Sequence, residues 1–470
     1  MKIAFPATWL IVAKKEIQEA FRSKLFFCLA VIIWGLLIFA ALGGYKAYSN
    51  IRQQQNEAEK MFREELAEKD RNPHSAAHFG TWLYKPLTIL SLFDPGVNDY
   101  TGSTYRVEAH KQSEMNFAAA KDSDSMMRFG SLSIATVLQL FLPLLIVFLC
   151  SASISKEYER GMLKLLYTQG ATKKAILWGK ITGNFSLILI IIFPALILTL
   201  IAGAFNGIIP RVSLFIFSYF IYLFVWTGVS VLISDWVRSS GSSLLLQLCL
   251  WIFFCIISPK IIASTANERY PLLSYYEFSK LVNKDFYNGI NGDPSYAQRR
   301  ENLEKNTLKK YKVDSIPQLP INIDGLMLQD AEDYMARSYS LHSLTIDSQL
   351  VKQQNTFKYG AFISPYISIK ELSRAFAGTD LFHHQDFHHK AGTYRNEFVR
   401  TLNNALVHSD PKEEKHLVSA NFLAGIKPFI YHIQGSAILP AYLIPIGISL
   451  LCWLGLILLL IELSVIKIRK

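Results

Sequence analysis

"LFFCLAVIIWGLLIFAALGGY", residues 25–45, runs for 21 residues without an Asp, Glu, Lys or Arg. A helix rises 1.5 Å per residue, so about 20 apolar residues cross a hydrocarbon core of about 30 Å. Five more blocks have this character: 132–154, 181–204, 212–234, 243–262 and 437–463. Backbone amides in lipid must be bonded within the segment, so each block is expected as a helix. Composition agrees: 51% of the 470 residues are hydrophobic and 18% charged, against roughly 25% charged in soluble domains. A soluble protein with six buried helices of this length is excluded. The reading is an all-α membrane protein with six transmembrane helices and, between them, two large, mainly helical exterior insertions.

Lys and Arg in short loops set orientation. Lys2, Lys14, Lys15, Arg22 and Lys24 precede the first block. Lys156, Arg160, Lys164, Lys173, Lys174 and Lys180 lie between the second and third, and Lys467, Arg469 and Lys470 follow the sixth. The loop between the third and fourth blocks holds only Arg211. Both termini are therefore expected in the cytoplasm, with 46–131 and 264–436 outside. The net charge of +11 follows from this anchoring and from solvated helix faces, and gives no reason to expect nucleic acid. All five cysteines, Cys28, Cys150, Cys249, Cys255 and Cys452, fall inside spans, so neither disulfides nor thiol chemistry is expected of the exterior segments. The first block lacks a cleavage site and reads as an uncleaved start-transfer segment.

Outside the spans, residues 1–24 place Trp9, Leu10, Ala13, Ile17, Ala20 and Phe21 at helical spacing opposite charged residues. This suits a helix in the cytoplasmic interface. Residues 50–70 are polar and helix-prone, and continue the first span outward as a stalk. Residues 82–108 are rich in strand and turn formers, with the breaker Asp94-Pro95-Gly96, and read as irregular or as a short hairpin. In 264–436, Pro271, Asn291 to Pro294, Pro317 and Pro320 interrupt the chain. Helix is expected from Pro365 onward and again over 412–432.

The informative loop is "SISKEYERGMLKLLYTQGATKKAILWGK", residues 153–180. Tyr158, Met162, Leu165 and Leu166 recur at i, i+4, i+7 and i+8, a narrow apolar stripe. A plain interfacial helix and a lever for a cytoplasmic partner both fit that pattern. Glu157-x-Glu159-x-Gly161, then Leu163, Leu165 and Leu166, then a basic segment ending in Gly179-Lys180, resembles the signature of ABC type 2 exporter permeases. Met162 stands where those proteins commonly have Thr. Further on, Ser364, Pro365, Leu372, Ser373, Ala375, Ala377, Gly378, Thr379, Asp380, His383, His384 and Phe387 match a pattern of a bacterial subgroup with an exterior domain of unknown function.

The resemblance implies a transport permease of the bacterial cytoplasmic membrane, acting as a homodimer or with a related second permease. It implies a separate cytoplasmic ATPase docked on a coupling helix at Glu157, Tyr158, Glu159, Arg160, Gly161, Met162, Leu165 and Leu166. No GxxxxGK[ST] phosphate loop occurs in the chain, so ATP belongs to the partner and neither catalysis nor a cofactor is expected here. The exterior domain is expected to engage cargo or an outside protein. Spans almost free of charge argue against an ion-coupled carrier. Gln139, Asn184 and Gln247 suit hydrogen bonding between helices. The competing readings are an exterior enzyme or metal-dependent sensor anchored to the membrane, and a subunit that transmits force without moving a solute.

"AGTDLFHHQDFHH", residues 377–389, raises the question of a metal. Asp380 reads as a helix N-cap, and Phe387, Ala391, Tyr394, Phe398, Leu402 and Ala405 form one apolar face. His383 and His384 flank that face, His388 lies at its edge and His389 points away. At most His384 and His388 could chelate together. A zinc site needs three or four ligands, and no metal site is expected.

Overall fold

The computed structural model describes residues 5–112, 115–116, 132–433 and 439–466. The expected start of the sixth block at 437 and the tail beyond 466 lie outside these residues. Six helices are long and apolar enough to span a membrane. They are α2 (Lys24–Glu68), α6 (Ile134–Thr136, the π-turn Val137–Phe141 and Leu142–Cys150), α9 (Lys173–Phe205), α10 (Ile209–Trp236), α11 (Ser240–Arg269) and α18 (Leu439–Ile466). α10 is the most enclosed, with 72% of its apolar window buried, whereas α2 has only 17%. α6, α9 and α10 thus form the packed centre, and α2 runs along its outside.

The first helix, α1 (Phe5–Arg22), ends at Ser23, whose extended backbone turns the chain into α2. α1 packs along the start of α9. The contact is close because Gly179 and Gly183, one turn apart, present no side chain. A Cβ on Gly179 would lie 2.5 Å from Val12 Cβ, and one on Gly183 2.9 Å from Glu16 Cβ. Small residues at this spacing let helix backbones meet within a membrane bundle. Val12 and Ala13 are buried there, while Leu10 and Ile11 stay exposed.

α6 and α11 each contain a π-turn just before a proline, Val137–Phe141 ahead of Pro143 and Phe253–Ile257 ahead of Pro259. Proline has no N–H and its ring clashes with the carbonyl of the preceding turn, so a widened turn relieves the helix. Carbonyls in these turns need donors in a water-poor bundle. The Tyr222 hydroxyl donates to Gln139 O (2.6 Å), Trp251 Nε1 to Leu140 O (3.0 Å) and Ser364 Oγ to Phe254 O (2.8 Å).

The two long insertions fold together. In the first, α3 (Pro73–Phe79), β1 (Thr81–Tyr84), α4 (Ile89–Phe93), α5 (Asn98–Thr101), β2 (Thr104–Val107) and β3 (Met115–Asn116) follow the stalk half of α2. The strands make a small antiparallel sheet in the order β1-β2-β3, so 82–108 is neither irregular nor a short hairpin: α4 and α5 lie between the paired strands, and the described residues are not purely α. The second holds α12 (Tyr275–Asn288), α13 (Tyr296–Tyr311), α14 (Ile323–Gly360), α15 (Pro365–Ala377), α16 (Leu381–Val407) and the short α17 (Ala420–Ala424). Phe62 and Leu66 of the stalk, Leu83, Tyr105 and Val107 of the sheet, and Phe387, Phe398 and Leu402 of α16 share one core.

One further expectation needs correction. Residues 412–432 are mostly irregular, with only α17 helical, and Val418 instead pairs with Arg71 beside the stalk. Backbone groups there bond across to the other insertion, which local periodicity does not reveal. Within 264–436, α15 packs against the apolar spans more than against the rest of the insertion. This helix packs against α10, α18 and both π-turns. Ile367, Ile369, Leu372 and Ala375 belong to the core of the bundle, and Ser368 and Tyr219–Ser373 bond it to α18 and α10 at 2.9 Å each. Both faces of α15 meet protein, which a short amphipathic sequence does not announce.

Candidate ATPase-coupling site

The loop between α6 and α9 forms two short helices, α7 (Ser155–Glu159) and α8 (Met162–Thr168). Gly161 divides them in the left-handed conformation at φ 67°, where a Cβ is disfavoured. The expected single stripe of Tyr158, Met162, Leu165 and Leu166 is therefore broken at Arg160-Gly161. Arg160 closes α7, its N–H donating to Lys156 O at 3.1 Å.

The acidic pair holds this loop to the bundle. Lys180, on α9, lies 2.8 Å from Glu157 and 2.6 Å from Glu16 of α1. Glu16 also accepts from Ser153 Oγ (2.7 Å) and Asn184 Nδ2 (3.0 Å). Lys180 is 3% exposed, so its charge depends on these two carboxylates. Glu159 turns the other way and accepts from the backbone N–H and the hydroxyl of Ser240, both at 2.8 Å, at the start of α11. Nearby, Asp235 at the end of α10 pairs with Lys173 (2.9 Å) and accepts from Ser464 of α18 (2.8 Å). Lys174 reaches Glu462 at 2.7 Å. α1, α7, α9, α10, α11 and α18 are thus tied together by polar contacts at one end of the bundle.

The apolar side chains divide. Leu163 is buried and Leu166 packs half-buried on the bundle core. Tyr158, Met162, Leu165 and Tyr167 are 41–51% exposed, and the Arg238 guanidinium sits over the Tyr158 ring at 4.8 Å. An exposed apolar ridge on a polar-clamped loop can seat a partner and pass its movement to several spans at once. Of the expected residues, the structure places Glu157 and Glu159 as anchors, Gly161 at the break between α7 and α8, and Tyr158, Met162 and Leu165 on the exposed ridge. Sequence reading missed Glu16, Asp235, Ser240 and Glu462, which belong to other helices. A lysine at the edge of an apolar run, Lys180, was the available signal.

The histidines of 377–389 scatter. Asp380 caps α16 through Phe382 N (2.7 Å) and His383 N (3.0 Å), and its second oxygen bonds His383 Nδ1. His389 pairs with Asp347 at 2.7 Å, and that hydrogen bond raises its pKa. Burial, with Lys85 and His388 nearby, lowers the pKa of His384 to about 3. Gln139, Asn184 and Gln247 hydrogen-bond between or within helices, to Tyr219 OH (2.7 Å), Glu16 (3.0 Å) and Ser230 O (3.0 Å).

Comparison with known families matches residues 10–302 to "ABC-2 family transporter protein". The chain belongs to the ABC-2 transporter family. The stretch matched covers α1, five of the six spans and the loop 153–180. A second match, to a domain of unknown function (DUF3526), covers residues 280–431. No curated protein matched the chain. As an ABC-2 protein it is a multi-pass membrane permease of an ABC system. Members of this family are transmembrane components, generally not catalytic, and the family implies a partner ATPase subunit.

Proposed function

We propose that this chain is the permease subunit of an ATP-driven exporter in the bacterial cytoplasmic membrane, with α7 and α8 facing the cytoplasm. A separate ATPase docks on the ridge of Tyr158, Met162 and Leu165. Glu157, Glu159 and Gly161 make that docking mechanical, because Glu157 is fastened to α1 and α9 and Glu159 to α11. The single observation that carries this reading is the exposed apolar ridge held on a loop whose acidic residues clamp several spans. Two permease copies, identical or related, enclose the path. The insertions stand outside and meet cargo or an exterior protein.

A subunit that transmits force to its exterior domain without moving a solute is favoured by one observation. α2 runs unbroken for 45 residues, from beside α1 to the domain core, about 67 Å at the usual helical rise. The test common to both readings is co-purification. The detergent-solubilised protein should bring down a cytoplasmic ATPase, and Leu165→Asp should lower the yield at least tenfold. Wild-type recovery with Leu165→Asp, together with unchanged ATP turnover in Gly161→Pro, would remove the docking site from this loop.

A further inference from the structure

The structure brings together three histidines that the sequence keeps apart. His74 and His78 lie one turn apart on α3, and His110 follows β2. Each offers one ring nitrogen, and the three nitrogens lie within 4.8 Å of one another. His74 Nε2 and His78 Nε2 are 3.1 Å apart, and the ring centroids are separated by 4.6–5.1 Å. Two nitrogens bound to one tetrahedral ion at about 2.05 Å are themselves about 3.3 Å apart. The spacing of the pair on α3 is therefore already that of two ligands, and His110 needs a shift of an ångström or so.

We propose that His74, His78 and His110 bind a divalent transition-metal ion of the zinc type at the junction of the two insertions.

The surroundings match that chemistry. Glu332 of α14 accepts from the His110 backbone N–H at 2.6 Å and lies 3.1 Å from His110 Nδ1. That contact places a proton on Nδ1 and leaves Nε2 as the ligating nitrogen, the usual carboxylate–histidine–metal arrangement. Glu332 is itself positioned by Arg395 at 2.6 Å. His110 adopts the left-handed backbone conformation at φ 60°, which a non-glycine residue rarely takes. His74 Nδ1 is buried without a hydrogen-bond partner. Three converging imidazole nitrogens are the donor set that an ion of this type takes.

A cavity of about 590 Å³ opens beside the cluster, lined by His74, His110, Glu332, Met327, Met335 and Asp324. Three protein ligands and a neighbouring cavity leave a coordination position for water or for an exterior ligand. The ion would also fasten α3, at the top of the stalk, to the loop that Glu332 holds on α14.

The test uses the full chain in detergent, with Zn²⁺ as probe and Co²⁺ as spectroscopic reporter. Calorimetry should show one Zn²⁺ per chain, and Co²⁺ should give the visible bands of a four-coordinate site. His78→Ala and His78→Gln should each weaken binding at least tenfold, and so should His110→Ala. Glu332→Gln should weaken it about tenfold to a hundredfold, and the exposed His408→Ala should leave it unchanged. His78 is exposed, so its variants fold, as circular dichroism can verify. No stoichiometric Zn²⁺ binding, or equal binding in the His78 variants, overturns the site.

Discussion

Lys180 carries its charge where water scarcely reaches it, between Glu16 and Glu157. Removing one member of a buried ion group leaves the others unpaired, at a cost of about 3–5 kcal/mol. Lys180→Met should therefore lower the melting temperature of the detergent-solubilised protein well below that of Glu157→Gln, which leaves Glu16 in place. Equal melting of Lys180→Met and wild type would show that the network holds nothing. His384 gives a pH dependence of known sign. Its folded pKa, about 3, lies below the usual 6.5, so the unfolded chain takes up the proton first. Stability is full above about pH 6.5 and falls as pH drops toward 3, by on the order of 2 kcal/mol at pH 5. His384→Gln should flatten the melting temperature between pH 7 and 5. If the wild-type curve is already flat, His384 is not the acid-sensitive group. At this scale the sequence marked Asp380 correctly as a helix cap. It missed Glu16 and the three converging histidines, because Lys180 is distant in sequence from Glu16 and His110 lies beyond the strands that follow His78, and such partners leave no local pattern.

Among the elements, α1 shows how two glycines decide a contact. Gly179 and Gly183 admit the backbone of α1, and a Cβ on Gly183 would already meet Ala13 O at 3.0 Å. Gly183→Leu should displace α1 and pull Glu16 from Lys180, exposing the first helix to protease in detergent while α9 itself stays helical. Unchanged protease protection would mean that the two helices are held by other contacts. The spans were legible because apolar length is a property of one segment. The stalk and α16 were legible as well, the latter from its cap and apolar periodicity, and it runs Leu381–Val407. The 412–432 segment was not, since its backbone partners lie on the stalk. α7 and α8 were merged in reading because a periodic stripe continues across Gly161, whereas the left-handed glycine breaks the helix.

On the scale of the molecule, α2 runs from beside α1 to the core that the two insertions share. Under the proposed mechanism that continuity matters, and Gln54→Pro tests it. Proline inside a helix costs about 3 kcal/mol or more and kinks it, and Gln54 is exposed, so side-chain packing is spared. ATP turnover by the complex should persist while transport or the exterior response falls severalfold. If both persist unchanged, the stalk is a tether and not a lever. Six spans and helical insertions were legible in the sequence, because segment length, periodicity and charge bias are read along one dimension. Only the tertiary structure decided that α15 enters the bundle, that the two insertions make one domain, and that His74, His78 and His110 meet. Those outcomes depend on which distant surfaces bury each other, and burial between segments is decided in three dimensions.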